Sequence, residues 1–277
     1  MTGLIVFFLY VPLIHYLTKS GLSFFYRRQW TTLNYKGESV AASFGLMFIV
    51  HYALFWFGLW MVQLKWTAAW WWRQESMPLF WFILFLTVLG WLDDRYGTKE
   101  TKGFKGHLRA LYKDRKVTTG LLKAAGGWLL SILVSFNISS DLFSWIVHAL
   151  VIVLAMHVSN LLDVRPGRAV KGFWCFSLGL LPWLDGGFLL SVYLPVFLST
   201  IVLFQYDRLR LAMLGDTGAL VLGGVLGLVV VHATLPGIDF VYFIVFTVLS
   251  ILAEKVSFTA WIEQSPWLSK IDQWGIR

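Results

Sequence analysis

Charge and cysteine are what this chain has least of. Charged residues make up 14% of its 277 positions, well under the roughly 25% typical of soluble domains, which excludes an ordinary water-soluble fold. A single cysteine, Cys175, lies inside an apolar run, so no intramolecular disulfide forms and the redox compartment stays open. The six histidines show no metal-ligand spacing. His148 and His157 do not share a helical face closely, and His15, His51 and His232 fall in apolar runs that suit packing. The first apolar stretch has no basic segment before it and no small-residue cleavage site after it, so it reads as a retained helix rather than a signal peptide. No internal repeat, low-complexity tract or long linker divides the chain, which predicts one domain over residues 1–277.

What the chain does have is 58% hydrophobic residues and 16 tryptophans, the composition of an integral membrane protein. A spanning helix takes about 20 mostly apolar residues. Nine segments qualify, at 3–18, 40–64, 77–92, 120–136, 142–159, 171–184, 187–205, 217–234 and 238–256. The sixth is short, carries Pro182, and reads as broken or tilted. Gly223, Gly224 and Gly227 allow close helix approach in lipid. The expected fold is therefore all-α and polytopic.

The net charge of +8 does not imply nucleic-acid binding, because the basic residues lie between apolar segments rather than on a soluble surface. With the N-terminus outside, 21 of the 23 Lys and Arg fall on the inner side, and only Lys65 and Arg73 fall outside. That asymmetry fits the positive-inside rule, with the C-terminus cytoplasmic. Such an inner face attracts anionic lipid or an anionic substrate.

Three acidic motifs open onto that face. Gly90-Trp91-Leu92-Asp93-Asp94-Arg95 ends an apolar run in two adjacent carboxylates. A helix C-terminus already carries partial negative charge, so the pair needs solvent, basic neighbours or a metal. Asn160 and Asp163 are spaced i, i+3 and share a helix face, either as a site or as a C-cap before the Pro166-Gly167 turn. Asp216, in Gly215-Asp216-Thr217-Gly218, reads either as an N-cap or as a metal or phosphate site approached through glycine. Among the basic residues, most of those in 95–123 suit lipid headgroups. Lys36 and Lys123 adjoin helix ends where the motifs converge, and His107 is the inner-loop histidine placed for substrate contact.

The ordered motifs NYKGESVAASFG, GWLDDRYG, HVSNLLDVRPGRA and MLGDTGALVLGG resemble the polyprenyl-phosphate N-acetylhexosamine-1-phosphate transferases, over roughly residues 30 to 225. The resemblance implies transfer of a sugar-1-phosphate from a UDP-sugar to polyprenyl phosphate for cell-envelope polymer synthesis. UMP is released, and Mg²⁺ or Mn²⁺ is required. It implies Asp93 and Asp94 as catalytic residues, with Asp94 and Asp216 at the metal. Lys36, Lys123, Asn160, Asp163 and His107 would bind substrate. The partners would be the lipid, the nucleotide-sugar and the cell membrane, with a homodimer among the assemblies it allows. The chain departs from the family pattern in that Val164 stands where the family has Gly, Pro166 where it has a second Asp, and Ala41 where it has Pro. No histidine follows His232. The alternative is a catalytically inactive relative acting as scaffold or regulator of envelope assembly; the altered loop at Val164 and Pro166 argues for it, and the intact Asp93, Asp94, Asp163 and Asp216 argue against it. A transporter is a weaker third reading, since the acids sit at segment ends rather than mid-membrane.

Overall fold

The computed structural model describes residues 2–63, 71–97, 112 and 115–276. Among these residues it is about 79% helical, with 11 helices. They are α1 (Thr2–Arg27), α2 (Leu46–Gln63), α3 (Trp71–Tyr96), α4 (Thr119–Ile138), α5 (Leu142–Leu162), α6 (Arg168–Ser177), α7 (Gly186–Arg208, with one π turn), α8 (Gly215–His232), α9 (Ile238–Lys255), α10 (Phe258–Gln264) and α11 (Pro266–Gln273).

Among the described residues, five helices are long and apolar enough to cross a membrane: residues 77–96 of α3, and α4, α5, α7 and α8. A sixth is added if α9 and α10 count as one span despite a bend of 95°. The chain is thus a helical multi-pass membrane protein. The segment expected at 3–18 is helical, whereas that expected at 40–64 begins in a short strand and is helical only from Leu46 to Gln63, its apolar part running over Leu46–Gly58. The expected segment 171–184 is broken: α6 gives way to a 3₁₀ turn, Leu178–Trp183, that contains Pro182.

The bundle is organised around α8, in which every residue from Thr217 to Val230 is buried. Its glycines make this central position possible. A methyl group on Gly223 or Gly227 would collide with the backbone of α5 at Met156 and Ile152, and one on Gly224 with Leu86 of α3. Small residues let helix backbones close up where lipid offers no hydrophobic drive for association.

The all-α expectation needs one addition. Residues Thr31–Leu33 (β1) and Ser39–Ala41 (β2) form an antiparallel hairpin, with Thr31 opposite Ala41. The Asn34 side chain holds its turn, accepting from the Lys36 and Glu38 backbone N–H groups at 2.8 and 3.0 Å and donating to the Glu38 carboxylate at 2.8 Å. Gly37 takes a positive φ of 79°, as such a turn needs. After β2 the chain runs beside the segment leading into α8, with Met213 N–H donating to Ala41 O at 2.8 Å and Gly45 N–H to Leu214 O at 3.0 Å. The first connecting segment is thereby fixed to the start of the central helix.

Candidate functional site at one end of the bundle

The ends of α3, α5 and α7 and the starts of α4 and α8 meet at the same end of the bundle. Three carboxylates and one ammonium are gathered there from three helices. Asp93, in the last turns of α3, accepts from the Thr119 hydroxyl at 2.6 Å and pairs with Lys123 Nζ at 2.6 Å. The same ammonium reaches the Asp216 carboxylate at 2.8 Å. The side chains of Asp93, Lys123 and Asp216 are 12%, 17% and 27% exposed, so the bridge is largely shielded and is worth more than a surface pair. The Asp93 and Asp216 carboxyl groups also lie within hydrogen-bonding reach of each other.

Asp94 has a different task. Its Oδ1 accepts from the Asp216 N–H at 2.9 Å, and its Oδ2 from the Thr217 N–H at 3.1 Å and the Thr217 hydroxyl at 2.5 Å. It therefore caps α8 from another helix. The chain at Leu214, where a local cap would stand, supplies no side-chain cap. A carboxylate at its own helix C-terminus is badly placed. At the N-terminus of α8 it meets orphan N–H donors and the positive end of a dipole, which compensates. The cap role considered for Asp216 thus belongs to Asp94, and Asp216 is left to face Lys123. Two glycines make the approach possible. Gly215 has a φ of +69°, and a side chain there would strike the Asp94 carboxylate; a methyl on Gly90 would strike the backbone of Thr217.

Asp163 stands at the C-cap of α5, its N–H directed to the carbonyls of Ser159 and Asn160. Burial, then the charges of Asp207, Asp94 and Asp216, push its carboxyl well above the usual carboxylate range. Asn160 lies half-buried one turn earlier on α5. A small cleft of about 30 Å³ runs past Asp163, lined also by Asn34, Tyr35, Arg165, Asp207 and Arg210. Lys36 sits exposed on the hairpin turn, its ammonium 5.9 Å from the Tyr35 ring. It is near the mouth of this cleft through Tyr35 rather than in the carboxylate cluster. His107 lies outside the described residues.

Sequence reasoning passed over Asp207. It is 4% exposed at the end of α7 and accepts from the Gly167 N–H at 2.7 Å, which fixes the turn between α5 and α6. The available signal was an acid four residues after the apolar Leu203, at a depth where carboxylates are costly. Two of the other histidines are held in the packing. His51 shares a buried hydrogen bond of 3.0 Å with Thr18, and His232 stacks on Phe188 at 4.1 Å.

Among the described residues no group of three or more His, Cys, Asp or Glu is placed to hold a metal ion. The donors nonetheless suit one in kind, since Asp93 and Asp216 already share a single cation, the Lys123 ammonium. Mg²⁺ is commonly held by one or two carboxylates, with waters and substrate phosphates completing the shell.

Fold and site together define a helical membrane protein with a shielded carboxylate–ammonium cluster at one end of its spans. Compared with models of known families and with curated proteins, the chain matches none.

Proposed function

We propose that this protein is a metal-dependent phosphoglycosyl transferase that moves a sugar-1-phosphate, in the N-acetylhexosamine class, from a UDP-sugar to polyprenyl phosphate and releases UMP. In this reading the cluster faces the cytoplasm, the N-terminus is outside, nine segments cross the cell membrane, and the product feeds envelope-polymer synthesis. The observation that carries the reading is the convergence of Asp93 and Asp216, 123 residues apart in sequence, on Lys123, with Asp163 close to Asp216 and Asp94 at the same end of the spans. The basic residues Arg165, Arg168, Lys171, Arg208 and Arg210 cluster at the same end.

Phosphoryl-type transfer asks mainly for alignment and charge neutralisation. Asp93 and Asp216 would hold Mg²⁺ or Mn²⁺, which when bound neutralises phosphate oxygens and orients the transferring group. Lys123 sits between the two carboxylates and is the cation that phosphate meets first. Asp93 is placed to orient the lipid phosphate, with Thr119 setting its rotamer. Asp94 acts one step back, fixing the start of α8 and so the position of Asp216. Asp163 and Tyr35 border the cleft and would contact the nucleotide there, with Asn160 one turn earlier on α5.

A second reading, an inactive relative that serves as a scaffold, is favoured by one feature. The Lys123 bridge neutralises Asp93 and Asp216 without any ligand, while Val164 and Pro166 stand at the cleft where the family pattern has Gly and Asp. UMP release by purified protein given polyprenyl phosphate, Mg²⁺ and a panel of UDP-sugars decides between them. Release that is lost in Asp93→Asn and Asp216→Asn supports the transferase. No release with any donor, from folded protein, removes it.

A further inference from the structure

The C-terminal arm is not used by the proposed chemistry, and it is built unlike the rest of the molecule. After α9 the chain turns by 95° into α10, and Pro266 then opens α11. α10 therefore runs across the direction of α9 rather than along it.

One side of the arm is stapled to the bundle. Arg168, itself buried, makes two parallel hydrogen bonds of 2.8 Å to the Asp272 carboxylate and one of 3.1 Å to Thr259. Arg165 reaches Glu263 at 3.3 Å. Lys171 donates to the carbonyls of Ile271 and Asp272, and Arg208 to that of Gly275 at 2.9 Å. A fork-to-fork Arg–carboxylate pair fixes orientation as well as distance. These anchors belong to the site-bearing ends of α6 and α7, so they set the arm's height at the ends of the spans.

The other side of α11 is apolar and uncovered. Trp267 and Ile271 recur at i and i+4, hence on one face, and they are 78% and 58% exposed, while Trp274, at the C-cap, is 62% exposed and stacks its ring on Phe204 of α7 at 6.2 Å. Asp272 lies on the stapled face. Lys270 lies beside the apolar one, its ammonium 5.7 Å from the Trp267 ring. A short helix with tryptophan and a basic residue at the edge of its apolar face, stapled at the end of a set of spans, has the make-up of an interfacial helix.

We propose that α10 and α11 lie in the headgroup region of the lipid leaflet at the site-bearing end, with Trp267 and Ile271 inserted among the upper acyl chains and Lys270 among the anionic headgroups. Through Arg165 and Arg168, which flank the Pro166-Gly167 turn, the arm ties the height of the Asp163 loop to the bilayer surface. This inference stands apart from the transferase reading and does not need it.

The test uses the full-length protein with Cys175→Ser, so that one introduced cysteine carries a spin label, in nanodiscs of phosphatidylcholine and phosphatidylglycerol. Labels go in turn at Trp267→Cys and Ile271→Cys, with Phe85→Cys on the exposed flank of α3 as the lipid reference and Lys36→Cys on the hairpin as the water reference. At 267 and 271 the label is expected to collide with dissolved oxygen and to lose collisions with a water-soluble nickel chelate, as at 85 and unlike 36. Nickel collisions equal to those at position 36 would place the face in water and overturn the proposal. A label immobilised and shielded from both reagents would overturn it too, by showing a protein surface there, such as a second copy of the chain.

Discussion

The two ends of the bundle use the same residue type in opposite ways. At the end away from the cluster, Asp141 caps the helix that it immediately precedes, accepting from the Phe143 and Ser144 N–H groups at 2.9 and 3.0 Å. Asp185 does the same for Gly187 and Phe188 at 2.8 and 2.9 Å. Both are local caps, satisfied within three residues. At the site-bearing end, Asp94 caps a helix by accepting from an N–H 122 residues further along the chain, and Asp216, at that helix start, is left free to face a lysine. The lesson is that a cap supplied from a distance releases the local aspartate for chemistry, whereas a local cap consumes it.

That contrast can be broken by substitution. The largest effect is expected on activity from Asp216→Asn. Loss of a preorganised charge at a transferring phosphate typically costs about 10²–10³-fold in rate, so UMP release should fall by that order while membrane insertion is unchanged. Wild-type turnover in the variant would remove Asp216 from the site. Next comes Lys123→Ala, which leaves two shielded carboxylates facing each other without their cation, a change of about 3–5 kcal/mol in comparable buried pairs. Its thermal midpoint in detergent should drop sharply and recover on adding Mg²⁺ by more than the wild type gains, because a ligand that binds only the folded state stabilises it. A drop with no Mg²⁺ response would show that the carboxylate pair does not take a divalent ion.

The comparison sharpens with the caps themselves. Asp94→Ala strands two backbone donors and a hydroxyl, at about 1–3 kcal/mol, and by loosening the start of α8 should also lower activity. Asp185→Ala, more exposed and far from the cluster, should cost about 0.5–1 kcal/mol and leave activity alone. Equal activity losses in the two variants would dissolve the distinction between the two ends. The smallest effect concerns pH. Ser144, with the neighbouring backbone N–H groups, holds the Asp141 carboxyl down to about 2, below its ordinary 3.8. A depressed acid contributes stability above its unfolded pKa and loses it as pH falls through the folded one. The stability gap between wild type and Asp141→Ala should therefore be full above about pH 4 and close toward about pH 2; a gap that persists unchanged at the lower pH would rule out this carboxylate as its source.

Much of this was legible in the chain. Apolar runs placed the helices, Pro182 marked the broken one, and the glycines of α8 sit where helices touch. The motifs at Asp93, Lys123, Asp163 and Asp216 do converge. Less legible was the hairpin, although Asn34 and Gly37 mark its turn and Thr31, Thr32 and Val40 suit short strands. Asp207 was hidden because the reason for its burial, the Gly167 N–H, lies 40 positions away.

Hydropathy and local turn chemistry are properties of neighbours in sequence, and by themselves they determined a membrane-embedded helical chain with its acids and bases collected at segment ends. Which acid caps a helix, which shares a lysine and which is pressed against other carboxylates was decided only by the tertiary structure. Those outcomes depend on charge and donor partners brought together across as many as 123 residues, and a carboxylate's role is set by the partners it finally meets.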